Sequence, residues 1–220
     1  MRSKNLLEEI SDGKLYDIED MVKADTCGCN GCSDCCRDVG DLVVLTPFDI
    51  YEMVNYLGVE FDELLGEKIE LRKSNKILLP YLKMQPKNKY CSFLDREGRC
   101  TIHSKRPNIC RLFPLGRVYK GDDFKYFLQI GNCPKEDLQN VKVSNWLGIE
   151  NYDKNKKFIL EWHKFIKALT FRLKFMRDEK EIDEVNQILL DSFYRAKIEG
   201  DFYDEFLKSF PEVKNRLGII

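Results

Sequence analysis

Histidine is scarce in this chain: His103 and His163 are the only two among 220 residues. Two imidazoles leave little material for a Ser–His–Asp or Cys–His arrangement, and no local signature supports one. Excess charge is missing too. A net charge of −1 gives no electrostatic case for nucleic acid or for an acidic membrane surface. Long apolar runs are absent: 77–80 and 188–190 fall far short of the roughly 20 residues that a helix needs to cross a bilayer. The start, Met-Arg-Ser-Lys-Asn-Leu-Leu-Glu-Glu-Ile, has no apolar stretch of the secretory kind. There is no internal repeat, no low-complexity linker, and no glycine-rich loop of the GxGxxG or GxxxxGK[ST] kind. These absences predict a cytoplasmic chain with neither a membrane nor a nucleic acid as partner.

What is present is sulfur. Nine cysteines occur in a chain that is 43% hydrophobic and 33% charged, the composition of a folded globular protein. In a reducing compartment structural disulfides rarely persist, so clustered cysteines point to metal or redox chemistry. A single buried cysteine can serve merely as a small apolar side chain. Five within ten residues, Cys27, Cys29, Cys32, Cys35 and Cys36, cannot be read that way. Cys29-x2-Cys32-x2-Cys35 sits among Gly, Asn, Ser and Asp, a loop composition that lets the backbone wrap a metal while successive sulfurs converge. Neighbouring α-carbons are too close for a relaxed disulfide, so Cys35 and Cys36 are expected to be ligands pointing to different sides. A second set, Cys91, Cys100, Cys110 and Cys133, is spread along the chain. Eight thiols suffice for one four-thiolate site with spare sulfurs or for two complete sites.

The pattern around these cysteines predicts an α+β fold. A small irregular cysteine-rich core of short strands, hairpins and helices is followed by a C-terminal bundle of about three helices. Residues 1–26 read as a lead-in helix, 27–140 as the metal-binding domain and 150–220 as the helical region. A strand is expected at 41–45. Thr46-Pro47-Phe48-Asp49 is a helix start with an N-cap and a proline in the first turn, and Gly58 closes that helix. A short helix is expected over 62–70 and an edge strand over 77–84, where Pro80 cannot donate. Stretches 90–94 and 99–103 flank the turn Asp95-Arg96-Glu97-Gly98 as a hairpin, and Pro107 opens a helix carrying Cys110. Gly121-Asp122-Asp123 reverses the chain into a strand over 124–130. Phe158, Trp162, Phe165, Leu169, Leu173 and Met176 form the stripe of a long amphipathic helix. Ile182, Val185, Ile188 and Leu189 mark a second, and Phe202, Phe206 and Leu207 a third, broken near Pro211. Residues 154–177 hold eight basic residues against one acid, and 178–205 ten acids against three bases. Two antiparallel helices neutralising each other is the simplest reading.

The run Cys29-Asn-Gly-Cys32-Ser-Asp-Cys35-Cys36-Arg37 resembles the CxxCxxCC signature of the YkgJ-type cysteine-cluster proteins, a family associated with zinc or iron chelation. The similarity continues through Leu45-Thr46-Pro47-Phe48-Asp49, Tyr56-Leu57-Gly58, Cys91-Ser-Phe-Leu-Asp95, Gly98-Arg99-Cys100-Thr-Ile-His103 and Arg106-Pro107-Asn-Ile-Cys110-Arg111-Leu-Phe113-Pro114. It covers roughly residues 27–134 and leaves out the C-terminal helices. The resemblance implies that Cys29, Cys32, Cys35, Cys36, Cys91, Cys100 and Cys110 act together, with Cys133 matching a later family cysteine. Cys27 stands outside the signature and is left out of the ligand set.

Zinc and an iron–sulfur cluster both accept four thiolates. The three-step cysteine run and Cys133-Pro134 resemble a ferredoxin pattern, although Cys36 follows Cys35 at once. Cys100-x2-His103 has zinc-like spacing, yet His103 reads more simply as an exposed or hydrogen-bonded strand residue. Arg37 and Arg111, each directly after a proposed ligand, are candidates to stabilise the thiolate charge, Arg111 within the basic stretch 99–120 that also holds Arg99, Lys105, Arg106, Arg117 and Lys120. Three functions stay open: a metal-binding protein for storage, delivery or electron transfer; a methyltransferase, because the cluster resembles part of flagellin lysine N-methylases; and a structural zinc module offering its C-terminal helices to a protein partner.

Overall fold

The computed structural model describes residues 7–26, 32–39, 42–135 and 137–219. Cys27 and Cys29 lie outside these residues. Helices and three two-stranded antiparallel sheets make an α+β fold. The strands are β1 (Met21–Asp25), β2 (Ile69–Ser74), β3 (Ile77–Leu82), β4 (Leu115–Lys120), β5 (Asp123–Leu128) and β6 (Gln139–Lys142). They pair as β1–β6, β2–β3 and β4–β5.

Among the described residues the amino-terminal segment is helical over 7–10, turns at 17–20 and enters β1. Tyr16 bridges Tyr126, and β1 pairs with β6 with Val22 opposite Val141. Alternation in Met-Val-Lys-Ala buries Val22 and Ala24 and exposes their neighbours, the period of a half-buried strand.

Helix α1 (Pro47–Leu57) begins as its sequence dictates. The Thr46 hydroxyl accepts from the Asp49 amide at 3.3 Å, the Asp49 carboxylate accepts from the Thr46 amide at 2.8 Å, and Gly58 ends the helix at φ 68°. Asp49 is buried, and its other oxygen accepts from the Asn108 amide at 2.8 Å. One carboxylate therefore ties α1 to the start of α3 (Asn108–Leu112), the short helix that carries Cys110.

Several local expectations are corrected. The helix over 62–70 shrinks to α2 (Phe61–Leu64), because Gly66 turns the chain at φ 86° and Ile69 begins β2, paired with β3. The strand over 41–45 reduces, among the described residues, to a bridge from Val44 to Tyr81 beside β3, with the Leu45 amide donating to the Pro80 carbonyl at 2.9 Å. The hairpin over 90–103 keeps its turn at Asp95–Gly98, but its arms make only isolated bridges, Met84–Cys91 and Leu94–Cys100.

The C-terminal helices are α5 (Tyr152–Phe175), α6 (Glu179–Phe193) and α7 (Phe202–Arg216), preceded by the short α4 (Val143–Leu147). Helix α7 runs through Pro211 rather than breaking there. An internal proline costs about 3 kcal/mol, and burial of Phe206, Phe210 and Val213 on one face of α7 offsets it. These helices share a continuous core with the cysteine-bearing half. Phe48 of α1 packs on Phe158, Phe202 and Tyr203 at centroid distances of 6.3, 5.2 and 5.1 Å. The buried Asn186 accepts from the Leu78 amide of β3 at 2.8 Å, and the Tyr194 hydroxyl donates to the Leu45 carbonyl at 3.1 Å. The two charged stretches meet in part, Lys154 pairing with Asp201 and Asp204, while Lys156 pairs with Asp123, Lys164 with Asp122, and Lys73 with Glu179 and Asp183. No helix is long and apolar enough to cross a membrane among the described residues.

Candidate metal centre

Four separate stretches bring the sulfurs together. Ser33 starts a 3-10 turn over Asp34–Cys36, with the Cys36 amide bonded to the Ser33 carbonyl at 2.9 Å. The chain then runs antiparallel to 89–91: the Asp38 amide donates to the Lys89 carbonyl, and the Cys91 amide to the Cys36 carbonyl, both at 2.8 Å. The turn at 95–98 returns Cys100 beside Leu94, and α3 delivers Cys110. Cys133 comes from the loop after β5, where the Gln129 amide is bonded to the Pro114 carbonyl at 3.0 Å.

All seven described cysteines, Cys32, Cys35, Cys36, Cys91, Cys100, Cys110 and Cys133, border a single cavity of about 340 Å³. Its other walls include Leu82, Phe93, Ile102 and Phe113 on the apolar side and His103 and Arg106 on the polar side. None of the seven is in a disulfide. The Cys35 and Cys36 sulfurs lie 3.9 Å apart and line the same cavity, not opposite sides. Among the described residues no three Cys, His, Asp or Glu side chains are drawn tightly enough to close a metal site by themselves. The first of the expected ligands, Cys29, lies outside the described residues.

Electrostatics binds these thiols into one group. The Cys35 thiol is drawn down to about 7, first by its hydrogen bond with Cys36 and then by the Arg106 charge. Cys36 is pushed up by the same bond, by burial, and by the nearby Cys91 and Cys100. Burial pushes Cys91 up to about 11, with Cys100 adding to it. Cys100 and Cys110 are also raised, burial leading in both, and Cys110 feels Cys91, Cys35 and Cys100. Five thiols thus sense one another.

Arg99, Arg106 and Lys135 line this cavity, and the Arg106 charge acts on Cys35 and Cys100. Its guanidinium also contacts the ring of His103, an exposed residue of a 3-10 turn rather than of a strand. Arg37 and Arg111 are occupied elsewhere. Arg37 bonds the Ser33 hydroxyl at 3.0 Å and lies 4.6 Å over the Tyr90 ring, while Arg111 donates to the Ser104 and Leu147 carbonyls. Neither Arg37 nor Arg111 lines the cavity, although each directly follows a cysteine of the proposed set. The 3-10 turn over His103–Lys105, between Cys100 and Arg106, is what folds the charge back.

Neither curated proteins nor solved structures include a match to this chain. A family described as "CxxCxxCC: Putative zinc- or iron-chelating domain" matches residues 28–143, more than half of the sequence and the whole span from the first cysteine run to β6. With the described sulfurs of that span gathered on one cavity, the chain belongs to the CxxCxxCC family of zinc- or iron-chelating domains.

Proposed function

We propose that this protein holds an iron–sulfur cluster on its gathered thiols and works through that cluster. The observation that carries the reading is the cavity itself: seven thiols surround about 340 Å³. A lone zinc ion draws four sulfurs to about 2.3 Å and leaves no void between them, whereas a cluster of several iron and sulfide atoms needs room inside its ring of cysteines. Cys91 is buried, Cys36, Cys100 and Cys110 pack against the hydrophobic core, and with Cys29 and Cys32 they supply more than the four thiolates that a cluster takes. Such a cluster, when bound, supplies one-electron transfer at a potential set by burial and by hydrogen bonds to sulfur.

The chain's own residues fit that task. Arg106 offsets thiolate charge from the cavity wall, and Phe93, Ile102 and Phe113 keep the surroundings apolar. The cytoplasm is the compartment in which such thiols stay reduced. Protein purified without oxygen is expected to be brown, with iron and acid-labile sulfide in stoichiometric amounts. A colourless protein carrying one zinc per chain would instead establish the structural-module reading.

A further inference from the structure

The acidic and basic side chains that line the metal cavity are all of one sign. Among the described residues Arg99, Arg106 and Lys135 border it, and no Asp or Glu does. Arg99 and Lys135 are exposed and Arg106 is half-buried, which puts the first two at the mouth and the third on the inner wall. They arrive from separate stretches: Arg99 follows the turn at 95–98, Arg106 follows the 3-10 turn, and Lys135 lies in the loop after β5. The exposed Cys35 opens on the same mouth.

This arrangement exceeds what neutralising the thiols requires. The positive charges that act most on the five shifted thiols are those of Arg106 and Lys68, and Arg99 and Lys135 are not among them. Neighbouring acids do not consume the surplus either. Among the described residues none of the three bases pairs with a carboxylate. Asp95 and Glu97, the acids of the adjacent turn, stay out of the lining, and one Asp95 oxygen accepts from the Arg99 amide at 2.7 Å. The molecule as a whole carries a charge of −1, so an attraction for anions would be local to the mouth. A cleft lined by charge of one sign concentrates reactants of the other.

We infer that this mouth admits a small anion as the reaction partner of the metal centre, drawn in by Arg99 and Lys135 and met inside by Arg106. A guanidinium pairs its N–H donors with a carboxylate or another oxyanion, so that is the group the partner presents. The inference rests on the reading that these thiols hold a metal, and not on which metal they hold.

The test is stopped-flow oxidation of the reduced, metal-loaded protein by hexacyanoferrate(III), a trianion, and by hexaammineruthenium(III), a trication. Each takes one electron from the centre and becomes its divalent complex. Ionic strength is raised from about 0.01 M to about 1 M, over which the screening length falls from about 30 Å to about 3 Å. The hexacyanoferrate rate is expected to fall about tenfold, and the ruthenium rate not to fall. Arg99→Gln combined with Lys135→Gln, both at exposed positions, should remove most of that salt effect with the metal content unchanged. A hexacyanoferrate rate that is flat or rises with salt, or a fall that survives the double substitution, would overturn the inference. Iron and sulfide are measured on the same samples. A zinc-loaded protein exchanges no electron and defeats the cluster reading alone. There the same fall with salt is expected in the rate at which dithiobis(nitrobenzoate), a dianion, reacts with the exposed Cys35 thiol, and a flat or rising rate overturns the inference.

Discussion

The backbone amide of Cys91 donates to the carbonyl of Cys36 over 2.8 Å. That single bond places the end of the first cysteine run alongside the first cysteine of the second set. It is why residues far apart in the chain can share one cavity. The same short antiparallel run is clamped from outside by Arg37 stacked on Tyr90.

Replacing either thiol at this junction is expected to empty the centre. Cys36→Ser and Cys91→Ser should each lower bound metal to well under half of wild type, read by metal analysis on anaerobically purified protein. Cys27→Ser, outside the ligand set, should retain it. Full metal retention in both Cys36→Ser and Cys91→Ser would exclude them as ligands.

Asp49 is expected to matter for stability far more than its place on a helix suggests. Asp49→Ala leaves the Thr46 and Asn108 amides without their acceptor in a buried setting, a loss of about 3 kcal/mol. Urea unfolding would measure it, and Asp49→Asn should recover part of the loss.

Gly116 faces Phe127 across the β4–β5 hairpin, and an added β-carbon would come within 2.3 Å of that ring. Gly116→Ala must displace the ring or the strand, at about 1–3 kcal/mol, seen as a lower urea midpoint. Pairing it with Phe127→Leu should reduce the penalty.

His163 is expected to titrate below the usual 6.5, because burial beside Tyr119 disfavours its charged form and Lys167 adds to that. A folded value below the unfolded one means that the unfolded chain binds the proton more tightly. The His163 contribution is therefore complete above about 6.5, falls as pH drops through that value, and levels off below the folded pKa. Proton NMR of the two histidines follows the midpoint directly, and a His163 midpoint at or above 6.5 would contradict this.

Local chemistry was legible in the sequence and long-range pairing was not. Thr46, Pro47, Asp49 and Gly58 specify α1 within a dozen residues, and the Phe158–Leu173 stripe specifies α5 by its period. The pairing of β1 with β6 joins residues 21–25 to 139–142, and no local signal encodes it. Residues 62–70 misled because Phe61 and Leu64 start a helical period that Gly66 stops. Pro211 misled in the opposite direction, since the propensity loss is local while the burial of Phe206, Phe210 and Val213 is tertiary. The cysteines themselves were visible as candidates, and their convergence on one cavity with Arg106 required the fold.

The most direct measurement is X-ray absorption at the metal edge of the protein made without oxygen. A first coordination shell of sulfur, with metal neighbours beyond it, is the result expected of thiolates surrounding an iron–sulfur cluster. A shell of oxygen and nitrogen alone, or a folded protein carrying no metal, would contradict the claim that these cysteines gather to bind one.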